Sequence, residues 1–331
     1  MPRKLIARDQ VSGISYTPAE AVTIALASIE NRRTTQGAGV RTGVASIDAE
    51  LQPARPGEFV GVIGRTSHYK SGLMQWWARN ESQRILEFGD DDQCVVYVTW
   101  EQAIEEMVCF DLAHTARIPA TDVAQGRITD DQMEQLRLVH GPKRAAVPLY
   151  LVGHSIREQK TRPHLTLSAV GQSLMRFRDE FGVKPRAIFL DYLQQMEPEE
   201  GQDRQTQVFH NVGRCKDMAL AMGCPVIVGS QAKREAYDNR KWGVPGITDS
   251  QWSANFEHTC DKAIGVWYPC KEQETPVVKG PGGACLDVTP NLLIVQVLKQ
   301  RLGPSGKVWA LYVDPERNEI GAMTTQRMDW Q

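Results

Sequence analysis

The chain has 331 residues, 41% hydrophobic and 24% charged, enough apolar material for one large core or two modest ones. It has no apolar run of the roughly 18 residues that a membrane-spanning helix needs, so no membrane span is expected. Its net charge of −2 excludes a globally basic nucleic-acid binder but leaves room for a locally basic channel inside an assembly.

The basic start, Met1 to Arg8, lacks the apolar stretch and cleavage site of a signal peptide. Seven cysteines without a Cys-x-x-Cys pair argue for a reducing, cytoplasmic setting and against a disulfide framework or a zinc site. Residues 1–16 read as irregular. Thr17-Pro18-Ala19-Glu20 opens a helix, with a capping Thr, Pro at the first helical position and Glu at the third. The spacing predicts this helix to about Arg33, with Val22, Ala25, Leu26 and Ile29 on one face. Residues 34–43 are rich in Gly and Thr and read as a linker, which divides the chain into an N-terminal arm and helix (1–40) and a main domain (41–331). The helix either folds back on its own domain or docks on a neighbouring subunit.

From Thr42 onward, strand and helix patterns alternate. Strands are expected at 58–63, 94–99, 149–152, 186–190 and 224–229, and helices at 71–87, 101–115, 129–139, 165–181 and 204–222. The strands are unbroken apolar runs, as in a parallel sheet covered on both faces. After about 262 the pattern changes to hairpin-joined strands at 262–268, 292–299 and 308–313, with a long exposed loop at 275–290. The fold class is therefore α/β, a mostly parallel central sheet with C-terminal antiparallel strands and an N-terminal linker helix.

The first strand runs into Gly64, Arg65, Thr66, Ser67, His68, Tyr69, Lys70 and Ser71, and a helix follows. This is the layout of a phosphate-binding loop. Backbone N–H groups face a polyphosphate, Lys70 reaches its terminal oxygens and Ser71 ligates Mg²⁺. Tyr69 stands where such loops usually carry a second glycine. The alternative is an ordinary strand-turn-helix with an exposed lysine.

Three strand tips support the phosphate reading. Val95 to Thr99 leads to Glu101, an acid on the strand expected to neighbour the loop and placed to activate water; alternatively it only opens the next helix. Ala187 to Leu190 ends in Asp191, the position of an acid that holds Mg²⁺ through water. Val226 to Val228 leads to Gln231, a candidate γ-phosphate sensor. Ligands of open α/β sheets sit at such carboxyl ends. Further on, Lys299 and Arg301 precede a Gly-Pro turn, either as a solvated hairpin tip or as cations offered to a phosphate in the next subunit.

Together and in order, these elements resemble the ATPase domain of DnaB-type replicative DNA helicases, hexameric members of the RecA-like P-loop motors. The similarity runs from about Arg41 to Ile320. It rests on Thr42-Gly43 with Ile47-Asp48, the Gly64–Ser71 loop, Thr99-Trp100-Glu101 and Asp191-Tyr192-Leu193-Gln194. It continues through Arg204-Gln205, Pro225-Val226-Ile227, Ser230-Gln231, Arg234, Glu257 with Asp261, and Lys299-Gln300-Arg301 followed by Gly303-Pro304 and Gly306.

The resemblance implies ATP and Mg²⁺ as cofactors, with Lys70 and Ser71 on phosphate and metal, Glu101 as base, Asp191 as metal-side acid and Gln231 as coupling sensor. Lys299 and Arg301 would act on the neighbouring subunit's nucleotide. Implied partners are single-stranded DNA, further copies of the chain in a hexameric ring, and proteins of a replication or mobile-element system. The linker helix would dock on the adjacent protomer.

The sequence departs from the family pattern in three places. Only about 40 residues of this sequence precede the resembling region, so no counterpart of the family's large primase-recruiting N-terminal domain is expected; Tyr69 replaces the loop glycine, and the family's DNA-facing arginine is missing where Gln251-Trp252-Ser253-Ala254 falls. A DNA path along Arg204, Gln251, Trp252 and Ser253 is expected, with the indole of Trp252 stacking on a base. Two further functions stay open beside an ATP-driven DNA helicase or translocase. One is a nucleotide-dependent DNA-binding scaffold or loader that hydrolyses ATP without unwinding. The other is a kinase-like or clock-type relative with a protein substrate.

Overall fold

A computed structural model describes residues 16–34, 39–158, 163–199, 204–233, 243–250, 253–272, 276–279, 285–301 and 303–323. The chain divides into two compact units, residues 1–39 and 40–331. No helix among the described residues is long and apolar enough to cross a membrane.

The first unit contains α1 (Pro18–Thr34). Its start is a capping box. The Thr17 N–H donates to Glu20 Oε2 at 2.6 Å, and the Glu20 N–H donates to Thr17 Oγ1 at 3.4 Å. Val22, Leu26 and Ile29 are exposed, as is Ile24. The apolar side chains of α1 are therefore not confined to the single face expected.

The second unit begins with the short α2 (Ala45–Asp48), where Asp48 accepts from the Thr42 N–H and hydroxyl, both at 2.8 Å, and from the Gly43 N–H at 3.0 Å. This is what Thr42-Gly43 and Ile47-Asp48 do: the carboxylate closes the turn leading into the sheet. There follow β1 (Phe59–Gly64), α3 (Lys70–Phe88), β2 (Gln93–Thr99), α4 (Ile104–Ala116), α5 (Ala120–Ala124), α6 (Asp130–Gln135), α7 (Gly141–Ala146) and β3 (Leu149–Val152). Next come α8 (Leu167–Phe181), β4 (Lys184–Asp191), α9 (Arg204–Met222), β5 (Val226–Gln231), α10 (Ser253–Thr259) and β6 (Lys262–Trp267). The chain continues through β7 (Val277–Lys279), β8 (Cys285–Asp287), β9 (Leu292–Gln300), β10 (Val308–Asp314) and β11 (Glu319–Ala322).

A nine-stranded sheet runs in the order β11-β10-β9-β6-β1-β5-β4-β2-β3. From β6 to β3 the pairings are parallel, while β9, β10 and β11 pair antiparallel. Alternate strand residues feed two cores. Val60, Val62, Tyr97 and Phe189 pack with Leu73, Met74 and Trp77 of α3 on one face. Phe59, Ile63, Ile188 and Leu190 pack with Val170 and Leu174 of α8 and Val212 and Cys215 of α9 on the other. Burial on both faces is why these strands read as continuous apolar runs rather than alternating ones.

Four expectations need correction. The strand leading to Glu101, β2, does not neighbour β1; β5 and β4 lie between them. Glu101 does not open a helix, because α4 begins at Ile104. The exposed loop expected at 275–290 contains the β7–β8 hairpin, with Val278 buried against Trp267 and Ile294. The helix expected at 129–139 forms, but it runs on through a π-helical turn (Leu136–His140) and α7 to Ala146; α5 and β11 carried too little periodic pattern to be read from the sequence.

Candidate nucleotide-binding site

The site forms where the parallel strands end. Register puts Gly64 beside Gln231 and Thr99 beside Asp191, so the loop, the sensor and both acids emerge on one side of the sheet. Gly64 is required sterically: a Cβ there would come within 2.7 Å of Lys70 Cγ, whose side chain lies back across it. The loop then closes into α3 with Tyr69 in the left-handed region, φ 67° and ψ 19°. The position takes the conformation that favours glycine although it is a tyrosine.

A cavity of about 410 Å³ opens above these tips, lined by Thr66, Ser67, Tyr69, Lys70 and Ser71 of the loop, by Gly72, and by Glu101, Gln102, Glu106, Tyr192 and Gln231. Lys70 is only 6% exposed, and its Nζ sits 5.1 Å from the centroid of the Tyr192 ring. Burial pushes its ammonium pKa down, while the Asp191 and Glu101 carboxylates oppose that shift. Asp191 is buried as well. Burial pushes its carboxyl pKa up, and Lys70 with the Ser71 and Tyr97 hydroxyls pulls it back towards the charged form.

Tyr97 donates to Asp191 Oδ2 at 2.8 Å, while Asp191 Oδ1 is buried with no hydrogen-bond partner in the structure. An oxygen-only donor set of a hydroxyl and a carboxylate with one oxygen uncommitted fits Mg²⁺, which binds oxygen and keeps much of its water. The residues present therefore fit the metal that the loop implies.

Glu101 is exposed at the cleft edge, and Trp100 fixes its direction. The Trp100 N–H donates to the Asp191 carbonyl at 3.2 Å, and Nε1 donates to the Leu165 carbonyl at 2.6 Å. Gln231 Nε2 donates to Thr66 Oγ1 at 2.6 Å, which ties β5 to the loop. Behind it, the Gln231 N–H donates to Gln194 Oε1 at 3.0 Å, and Gln194 Nε2 donates to Ser230 Oγ at 3.1 Å.

Arg65 pairs with Glu272 at 2.8 Å, outside the cavity lining. His68 is buried, and its Nδ1 accepts the Tyr268 N–H at 3.3 Å. Burial first, then the cations of Arg65, Lys70 and Lys271, lower its pKa to about 4, so its ring is neutral. Tyr97 and Gln102 were not picked out from the sequence, and Tyr192 was read only as part of the Asp191–Gln194 motif, without a role at the site. For Tyr97 a signal existed, since a tyrosine inside an otherwise apolar buried strand needs a hydroxyl partner.

Lys299 and Arg301 lie elsewhere. Lys299 is level with Ala263 and Gln300 with Lys262, which is itself level with Val60 at the start of β1. Arg301 therefore sits about five residues, or roughly 16 Å, back along the sheet from Gly64. Lys299 Nζ donates to the Glu257 carbonyl at 2.5 Å. Arg301, 60% exposed, pairs through Nε with Asp261 at 3.1 Å.

Of the residues expected on a DNA path, Gln251 and Trp252 fall outside the described residues, as does Arg234. Arg204 and Ser253 open α9 and α10. Two acids shortly before Arg204, Glu197 and Glu199, serve internal contacts. Glu197 accepts from the Leu165 N–H at 2.5 Å and faces His164 at 3.3 Å, and Glu199 pairs with Arg214 at 2.8 Å.

A sheet of this order, with a glycine-ended first strand running through a loop into a helix and polar tips on the neighbouring strands, is the RecA-like fold. A solved structure described as an ATPase domain matches 92% of this chain and 99% of its own, with a TM-score of 0.72 and 18% identity. A DnaB-like replicative helicase, solved in a study of its interactions with primase, matches 91% of this chain and 66% of its own, with a TM-score of 0.70 and 18% identity. At such identities these likenesses speak for the fold. Residues 39–317 match the model of the DnaB-like helicase C terminal domain, and the chain belongs to that family. The replicative DNA helicase DnaB of Helicobacter pylori is 24% identical over 246 residues, 73% of this chain and 47% of that protein. The chain thus spans about half the length of that curated relative.

Proposed function

We infer that this chain is an ATP-hydrolysing motor subunit of the DnaB type that works as a ring on single-stranded DNA. The observation that carries the reading is the convergence of Lys70, Ser71, Glu101, Asp191 and Gln231 on one cleft from four separate elements. The α3 N-terminus and the loop N–H groups face the phosphates, and Lys70 neutralises their terminal charge. Glu101 orients and deprotonates the attacking water from the cleft rim. Gln231, already bonded to the loop through Thr66, exchanges that bond for the γ-phosphate. Mg²⁺ would be held by Ser71 and, through water, by Asp191, and when bound it neutralises phosphate charge.

Lys299 and Arg301 cannot reach their own subunit's nucleotide across the sheet, which supports action on a neighbour's. The segments bearing Arg204 and residues Gln251, Trp252 and Ser253 follow the tips of β4 and β5 in sequence, where six copies would line a pore. In that reading α1 docks its exposed apolar residues on an adjacent subunit.

The deciding experiment measures ATPase activity with and without single-stranded DNA, beside duplex unwinding, in the wild type, Lys70→Ala and Glu101→Gln. DNA-stimulated hydrolysis with unwinding is expected. Lys70→Ala should lose ATP binding, and Glu101→Gln should bind ATP but turn over about 10²–10⁴-fold more slowly. Stimulation without unwinding would favour the loader. Hydrolysis indifferent to DNA would overturn the motor reading.

A further inference from the structure

Tyr69 occupies a backbone conformation that disfavours any residue with a Cβ, so something must hold it there. Its ring lies against Gly72, where a Cβ would come within 2.6 Å of the ring carbons. It also packs on Tyr268, with centroids 5.7 Å apart and planes at 50°. The hydroxyl meets Asn318 at the β10–β11 turn. With the Asn318 amide oriented to satisfy all its neighbours, its nitrogen donates to the phenol oxygen at 2.8 Å and to the Gly72 carbonyl at 3.1 Å, and its oxygen accepts from Arg79 Nη2 at 2.8 Å.

Arg79 is fixed in turn by Asp111 at 3.3 Å, and Asp111 by Arg144 Nε at 2.7 Å. The neighbouring His68 accepts the Tyr268 N–H, and the Tyr268 hydroxyl donates to the Pro290 carbonyl at 2.6 Å. Consecutive loop residues therefore grip Tyr268 and the β10–β11 turn.

We propose that Tyr69 is a positioning residue, a clamp that holds the phosphate loop in its nucleotide-accepting shape before nucleotide arrives, in place of the freedom a glycine would give. The proposal rests on the reading of the cleft as a nucleotide site. Its physical content is preorganisation: ordering enforced beforehand is not charged against binding.

The test compares the wild type with Tyr69→Phe, Tyr69→Gly, Asn318→Gly and the Tyr69→Phe/Asn318→Gly double variant. Amide hydrogen exchange at residues 65–73 is read in the nucleotide-free protein, and ADP affinity is read by calorimetry. Tyr69→Phe loses one hydrogen bond, so faster loop exchange and a Kd raised about 3–10-fold are expected. Tyr69→Gly loses the ring as well and should be weaker still. Because the phenol acts through Asn318, the double variant should be no weaker than Asn318→Gly alone. A Tyr69→Gly protein that binds ADP as tightly as the wild type, with unchanged loop exchange, would overturn the clamp. Should Tyr69→Gly fail to fold, wild-type values in Tyr69→Phe would overturn it equally. Absence of ADP binding in the wild type would instead defeat the nucleotide reading, while the exchange data still decide whether Tyr69 holds the loop.

Discussion

A neutral histidine buried among three cations makes the Gly64–Ser71 loop sensitive to acid. His68 has its pKa lowered from 6.5 to about 4 by burial and by Arg65, Lys70 and Lys271. The unfolded chain therefore takes up this proton at a higher pH than the folded one. The stability it contributes is complete above about pH 6.5 and is lost as pH falls towards 4. His114, partly buried near Arg79, shifts in the same direction and adds to the slope. Urea unfolding at several pH values between 7 and 4 should show falling stability, with the slope reduced by up to one proton in His68→Asn. An identical slope in that variant would place the acid sensitivity elsewhere. At this scale the sequence was half legible. The strand-end positions of Lys70, Ser71, Asp191 and Gln231 were legible because an unbroken apolar run precedes each. His68 read only as a loop position, since nothing local says that Tyr268, far along the chain, would close over it.

Between elements, Asp261 joins the start of β1 to α9 and β9. Buried just before β6, it accepts the Phe59 N–H at 2.8 Å and pairs with Lys216 of α9 at 2.6 Å and with Arg301 at 3.1 Å. Asp261→Ala would leave the Phe59 amide without its side-chain acceptor and Lys216 with the Gly57 carbonyl in place of a carboxylate. A loss of about 1–3 kcal/mol is expected, discounted because Arg301 is largely exposed. A shift in the urea midpoint checks it, and an unchanged midpoint would reduce Asp261 to a bystander. The parallel strands and long helices were legible here, because two-sided burial imposes apolar runs and α3, α8 and α9 are long enough to show their period. Strand order was not. Proximity of Glu101 to the loop came from assumed adjacency, whereas the structure achieves it across two intervening strands, since all the tips rise to one level. Short elements such as α5, β7 and β8 leave too few residues for any pattern to register.

Across the whole molecule, the reading of shared sites predicts that activity depends on assembly. Specific ATPase activity should rise with protein concentration. Mixing Arg301→Ala with Lys70→Ala subunits should recover part of the lost activity at interfaces that pair two intact halves. No recovery at any ratio, or a fully active chain at nanomolar concentration, would refute shared sites. The N-terminal helix and the segments proposed to face DNA belong to this scale too. The sequence offered their apolar and basic residues, but what such residues meet is decided by other chains. The placement of Lys299 and Arg301 at the far end of the sheet from Gly64 also sets an arithmetic for the assembly. On the shared-site reading, each subunit brings the loop half of one site and the cation half of another. An open arc of n subunits holds n−1 complete sites, whereas a closed ring holds n. Titrating competent sites against subunits therefore counts loose ends: a ratio of one means closure, and any shortfall gives the mean length of the arcs.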